Sequence, residues 1–140
     1  MAESSDKSRL LHSLKEAQHE RGYLSGEVIT QTAEGLDVCL GDAYGVATFY
    51  SFLATEPKGR NVIRVCRSIP CDLKNYRAIV GMLEKELGIK PGETTEDGVF
   101  SLELTNCIGA CDKAPAMMIN DMIYEELNAE RIKQILAEYR

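Results

Sequence analysis

Apolar residues recur at helical spacing through the first part of the chain and switch to a mixed strand and helix rhythm after residue 60. Over residues 4–20, Leu10, Leu11, Leu14 and Ala17 fall on one face while Lys7, Glu16 and Glu20 lie elsewhere, which predicts an amphipathic helix. Gly22 supplies the left-handed stop that ends it. Ser25 is placed to cap a second helix, through Ile29 and Ala33, that Gly35 interrupts. Residues 42–52 carry Tyr44, Val46, Ala47, Phe49, Tyr50 and Phe52. That segment is apolar nearly all round, so it is expected to be buried on several sides or docked against something else. The stretch E-P-K-G-R at 56–60 breaks the pattern, because proline and glycine punctuate elements. A helical N-terminal extension is therefore assigned to 1–57 and a second domain to 58–140.

The second domain alternates strands with helices. Residues 61–65, N-V-I-R-V, predict a short β-branched strand that runs directly into Cys66. Asp72 is expected to open a helix with Leu73, Tyr76, Ile79, Val80, Leu83 and Leu87 at helical spacing, stopped by Gly88. After a loop at Pro91-Gly92, residues 99–104 alternate with Phe100, Leu102 and Leu104 on one face, predicting a half-buried strand that ends near Cys107. Residues 116–119 and 122–124 predict two more strands, joined by the turn-tolerant pair Asn120-Asp121. Asn128 caps a last helix with Ile132, Ile135 and Leu136 inward, and Glu125, Glu126 and Glu130 are read as lying at its start, where acids suit the helix dipole. The order is β-α-β-β-α, an α+β domain, and both cysteine pairs follow a strand.

Composition narrows the classes. A net charge of −6 argues against a nucleic-acid-binding face, which needs concentrated basic residues. No run of apolar residues is long enough to cross a membrane, so direct membrane insertion is not expected. The N-terminal stretch lacks the basic and apolar regions of a secretion signal, which makes a cytoplasmic protein the expectation. Disulfides are rare in that compartment, and paired cysteines there more often bind metal or do redox work.

Four cysteines are so paired: Cys66 and Cys71 in V-C-R-S-I-P-C-D, and Cys107 and Cys111 in N-C-I-G-A-C-D. Pro70 stiffens the approach to Cys71, which sits where a helix begins and where the dipole favours a thiolate. Gly109 permits a tight loop whose N–H groups can point at sulfur. Four thiolates without histidine suit zinc or an iron–sulfur cluster. A dithiol oxidoreductase would favour C-x-x-C, which neither pair has. Neither ferredoxin spacing of the plant or bacterial type is matched. Spacing alone leaves zinc and a cluster both open.

The chain resembles the thioredoxin-like [2Fe–2S] ferredoxin family, the small (24-kilodalton-type) subunit of NADH dehydrogenase and of NAD(P)-linked hydrogenase or formate dehydrogenase complexes. The resemblance runs through Y-G-V-A-T-F-Y at 44–50, I-R-V-C…P-C, L-G-I-K-P-G-E-T-T-E-D-G-V-F-S-L-E and C-I-G-A-C-D-K-A-P-A-M-M-I-N. It implies a thioredoxin-like ferredoxin domain behind an N-terminal three-helix extension. It implies a [2Fe–2S] cluster on Cys66, Cys71, Cys107 and Cys111. It further implies an electron-transfer subunit, not catalytic alone. FMN and NAD(P) are then expected in a flavin-bearing partner subunit of the same complex, with further iron–sulfur subunits beyond it. The absence of G-x-G-x-x-G agrees with dinucleotide chemistry sited elsewhere. Arg67 after the first cysteine and Asn106 before the third depart from the residues more usual in the family. The competing readings are a zinc-stabilised interaction module and a free-standing ferredoxin shuttle.

Of the remaining residues, Arg64, Arg67, Lys74 and Lys113 are close enough in sequence to the four cysteines to favour a reduced cluster, or else are solvated surface bases. Cys39 reads as a small core residue, and His12 and His19 as solvated. Tyr44, Phe49, Tyr50 and Phe52 fit a core or a partner anchor equally well.

Overall fold

Residues 7–140 are described by the structure, a computed structural model. The start of the first expected helix, residues 4–6, lies outside them. The chain divides into two compact units, Met1–Pro57 and Lys58–Arg140.

The described residues of the first unit hold three helices: α1 (Lys7–Arg21), α2 (Gly26–Gly35) and α3 (Leu40–Phe49). Gly22 ends α1 at φ 84°, a left-handed value that glycine adopts without steric cost. Ser25 caps α2, its Oγ accepting the Val28 N–H at 3.3 Å. Leu10, Leu14, Leu24, Ile29, Ala33, Ala43 and Ala47 are among the buried residues that close the core. Gln18 pins the end of the unit, donating to the Phe52 carbonyl at 2.8 Å and accepting the Ala54 N–H at 2.6 Å. Of the two expectations for residues 42–52, burial on several sides is not met. Only Ala43 and Ala47 of α3 are buried, and Tyr44, Phe49, Tyr50 and Phe52 are exposed. A helix this narrow on its packed side turns small residues inward, because only they let the neighbouring backbones approach.

The second unit is built on a mixed four-stranded sheet. Its strands are β1 (Asn61–Cys66), β2 (Phe100–Thr105), β3 (Met117–Ile119) and β4 (Met122–Tyr124), in the order β2-β1-β3-β4. β1 and β2 run parallel, while β1–β3 and β3–β4 are antiparallel. The β3–β4 turn uses Asn120 at φ 54°, a conformation asparagine tolerates better than most residues. Helices α5 (Tyr76–Leu87) and α6 (Ala129–Tyr139) touch each other, and α5 lies on β1. Their apolar stripes and one face of the sheet enclose Ile63, Val65, Leu83, Leu102, Met117, Ile119 and Ile132, all fully buried. Alternation along β1 sends Arg64 to the other face, where Glu103 takes Lys58 at 2.7 Å and Arg64 at 3.4 Å.

The β2 edge of the sheet is not an open ladder. Along β2, residues 92–95 bond back to the strand: Gly92 N–H to Leu102 O at 2.7 Å, Leu102 N–H to Glu93 O at 3.1 Å and Thr95 N–H to Phe100 O at 2.8 Å. The opposite edge, β4, is only three residues long.

Two sequence expectations change here. The helix expected from Asp72 is two helices, because Asn75 at φ 61° breaks it into α4 (Ile69–Leu73) and α5. Leu73, assigned to the inward stripe, is instead 82% exposed. Glu125 and Glu126 precede α6 in the loop, with Glu126 at φ 48°, and only Glu130 occupies its first turn. Asn128 caps α6 through the Arg131 N–H at 2.9 Å. Among the described residues no helix is long and apolar enough to cross a membrane.

Candidate metal centre

Parallel pairing of β1 with β2 decides where the cysteines go. Cys66, the last residue of β1, lies in register with Thr105, the last residue of β2, so both chains leave the sheet at the same end. Two backbone bonds fix that end: Arg67 N–H to Thr105 O at 2.9 Å, and Cys66 N–H to Ala116 O at 3.2 Å. The first chain turns at once into α4, with Pro70 in its opening turn and Cys71 inside it. The second makes a short loop through Cys107 and Gly109 and enters a single 3₁₀ turn, Cys111–Lys113, which touches α4.

The four thiols form two unlike pairs. Cys66 and Cys71 are buried, whereas Cys107 and Cys111 are exposed with their sulfurs 3.0 Å apart. All five cysteines are free thiols. The Gly109 N–H points at Cys107 Sγ at 3.4 Å, and Gly109 achieves this at φ 86°.

Charge coupling links the pairs. Burial pushes the Cys66 thiol up, but hydrogen bonds from Ser68 and Cys71 outweigh it and hold the group below its ordinary value. Burial, together with hydrogen bonding to Cys66, pushes Cys71 up to about 11. The helix start was expected to favour a Cys71 thiolate; α4 is five residues long, and burial wins. In the exposed pair, Cys111 and the Gly109 N–H lower Cys107, while Cys107 raises Cys111. Cys66 feels no isolated environment: its charge raises both Cys107 and Cys111. The fold therefore carries both expected cysteine pairs to the same end of the sheet.

Among the described residues, no three His, Cys, Asp or Glu side chains meet at one ion position. The sulfurs come two by two, and the Gly109 N–H is directed at the exposed pair. A donor set of four thiols in two pairs suits a [2Fe–2S] cluster, in which each iron takes two thiolates.

The neighbouring bases divide. Arg64 is engaged with Glu103 on the sheet face, and Lys113 with Glu125 at 3.2 Å. Arg67 and Lys74 are exposed. Cys39 is not the small core residue expected, because it is exposed directly ahead of α3. Ser68 was missed: its Oγ lies 3.1 Å from Cys66 Sγ. The hydroxyl two residues after the first cysteine in C-R-S-I-P-C was the available signal.

Comparison with known proteins gives a consistent set. A family model described as thioredoxin-like [2Fe–2S] ferredoxin matches residues 2–140. The E subunit of the NADH-quinone oxidoreductase of Escherichia coli strain K12 is 43% identical over 130 residues, covering 93% of this chain and 78% of the relative. The E 2 subunit of the same-named oxidoreductase from Rhizobium meliloti strain 1021 is 39% identical over 134 residues, covering 96% and 80%. Among solved structures, an NAD+-reducing [NiFe]-hydrogenase in the air-oxidised state matches with a TM-score of 0.82 at 26% identity, over 94% of this chain and 22% of that one.

Proposed function

From the membership of this chain in the thioredoxin-like [2Fe–2S] ferredoxin family, we propose that it is the electron-transfer subunit of an NAD(P)H-linked oxidoreductase of NADH dehydrogenase, bifurcating hydrogenase or formate dehydrogenase type. Cys66, Cys71, Cys107 and Cys111 hold one [2Fe–2S] cluster in this reading. The observation that carries it is the meeting of two thiol pairs, one buried and one exposed, at the end of the β1–β2 parallel pair.

When bound, the cluster supplies exchange of one electron at a time. The chain's own residues do the rest. β1 and α4 hold Cys66 and Cys71 away from water, which fixes their positions before any metal arrives. The Gly109 N–H aims its positive dipole end at the Cys107 sulfur, and such a contact stabilises added negative charge. The Cys107–Cys111 loop is exposed and gives the route by which an electron enters or leaves.

The partner in this reading is a flavin subunit that also binds NAD(H), in a cytoplasmic assembly. Support comes from the names of the similar proteins, the lack of a dinucleotide fingerprint, and Ile69 and Leu73 of α4, 77% and 82% exposed on either side of buried Cys71. Large apolar side chains left in water beside a redox site are what a docking surface requires.

The test is low-temperature electron paramagnetic resonance on anaerobically purified protein, before and after dithionite, with iron and zinc quantified. A rhombic signal on reduction with about two irons per chain is expected. One zinc, no iron and no signal after attempted cluster reconstitution would instead establish a structural zinc module. Co-elution with the flavin subunit tests the partner, and failure to co-elute favours a free shuttle.

A further inference from the structure

Two serines stand immediately before helices in almost the same backbone conformation. Ser25, at φ −68° and ψ 162°, turns its hydroxyl onto the Val28 N–H and caps α2. Ser68, at φ −67° and ψ 166°, is equally placed to cap α4 and makes no such bond. Its Oγ points the other way, to Cys66 Sγ at 3.1 Å. A serine in capping position ordinarily takes the cap bond, which satisfies an otherwise orphaned helical N–H. Ser68 forgoes it for sulfur.

The direction of the Ser68–Cys66 bond follows from chemistry. Between a hydroxyl and a thiol either atom can donate, but a metal-bound thiolate has no proton, so only Ser68 can. We propose that the Ser68 hydroxyl donates to the Cys66 sulfur and, acting through it, raises the reduction potential of the bound cluster. The proposal rests on the cluster reading above. Reduction adds negative charge to the iron–sulfur unit, and a hydrogen bond to a more negative acceptor is stronger. The bond therefore favours the reduced form over the oxidised one. Ser68 is a positioning residue, since it touches a ligand and no iron.

The experiment uses the full chain carrying its cluster, in wild-type, S68A, S68T and S68V forms. Iron content and the potential from a dithionite titration followed by paramagnetic resonance are measured for each. S68A at wild-type iron content should show a reduction equilibrium constant about tenfold less favourable, a fall of 59 mV for a one-electron couple. S68T keeps the hydroxyl and should restore the wild-type potential. S68V matches threonine in volume without the hydroxyl and should behave as S68A. This last pair makes the comparison even where alanine itself disturbs loading. Unchanged potentials in S68A and S68V at full iron content overturn the proposal. Loss of iron in both, with retention in S68T, also overturns it, because Ser68 would then secure the cluster rather than tune it. A wild-type chain that holds no iron is a different failure: it removes the cluster reading itself, and iron analysis reports it before any potential is measured.

Discussion

Gly59 is the point at which the delivery of both cysteine loops is most exposed to a single atom. A methyl group added there would lie 2.7 Å from the backbone carbon of Phe100 and 3.0 Å from both its nitrogen and oxygen. Those atoms belong to β2 and cannot rotate aside. Carbon atoms settle at about 3.5–4.0 Å, so β2 and the chain entering β1 must part by roughly 1 Å. The bonds stretched by that movement are Gly59 N–H to Ser101 Oγ at 2.7 Å, Arg60 N–H to Gly98 O at 2.9 Å and Asn61 N–H to Val99 O at 2.8 Å. Overpacking costs about 1–3 kcal/mol. Weakening the buried Gly59–Ser101 bond adds about 1–2 kcal/mol, giving roughly 2–5 kcal/mol for G59A. Amide hydrogen exchange followed by mass spectrometry is the suitable assay, since it reports β1 and β2 without assuming that both units unfold together. Every 1.4 kcal/mol is tenfold, so exchange in peptides spanning 61–66 and 100–105 should quicken by at least about thirtyfold. Peptides of α1 and α2 serve as the internal reference. Exchange from β1 and β2 within about threefold of wild type would refute the argument that this contact holds the parallel pair.

Other outcomes follow from the site and its surroundings. C111A should lose the two-iron complement, whereas C39A should keep it, as iron analysis of the purified variants will show. In cluster-free protein at neutral pH, alkylation should reach Cys107, exposed and lowered by Cys111 and Gly109, well before Cys71, buried and raised to about 11; mass mapping that finds the reverse order contradicts the assigned environments. The Tyr139 hydroxyl, 2.9 Å away, and burial raise Tyr124 to about 12. A raised acid stabilises the fold in its protonated form, so this contribution is complete below about pH 10 and lost between about 10 and 12. The stability gap between wild type and Y124F, read from urea unfolding at pH 9 and 11, should therefore narrow at the higher pH. N128A removes the α6 cap and should cost about 1 kcal/mol by the same unfolding assay.

What the sequence disclosed was local chemistry. β1 ends on Cys66 because a β-branched run ends there, and Ser25, Asn120 and Asn128 act as their side chains dictate. What it hid were choices settled by competition. Apolar periodicity runs across Asn75 without a mark, since asparagine tolerates both helix and left-handed conformations. Leu73 therefore looked like core when it faces water. Ser68 looked like one more loop hydroxyl, because nothing in its neighbours says whether it will face a helix or a sulfur. The aromatics of 44–52 carried the right hydrophobicity for burial, but α3 turns Ala43 and Ala47 to the core instead.

One covered edge and one short edge of the sheet set the kind of association open to the second unit. Residues 92–95 occupy the hydrogen-bonding rim of β2, and β4 offers a rim too short to template another strand. Strand addition, the route by which backbones bind almost regardless of side chains, is thus denied to neighbours. Recognition is left to α4 and the loops, where it is written in side chains. The surface residues of α4 and the loops can then change while the strands that present the thiols stay as they are.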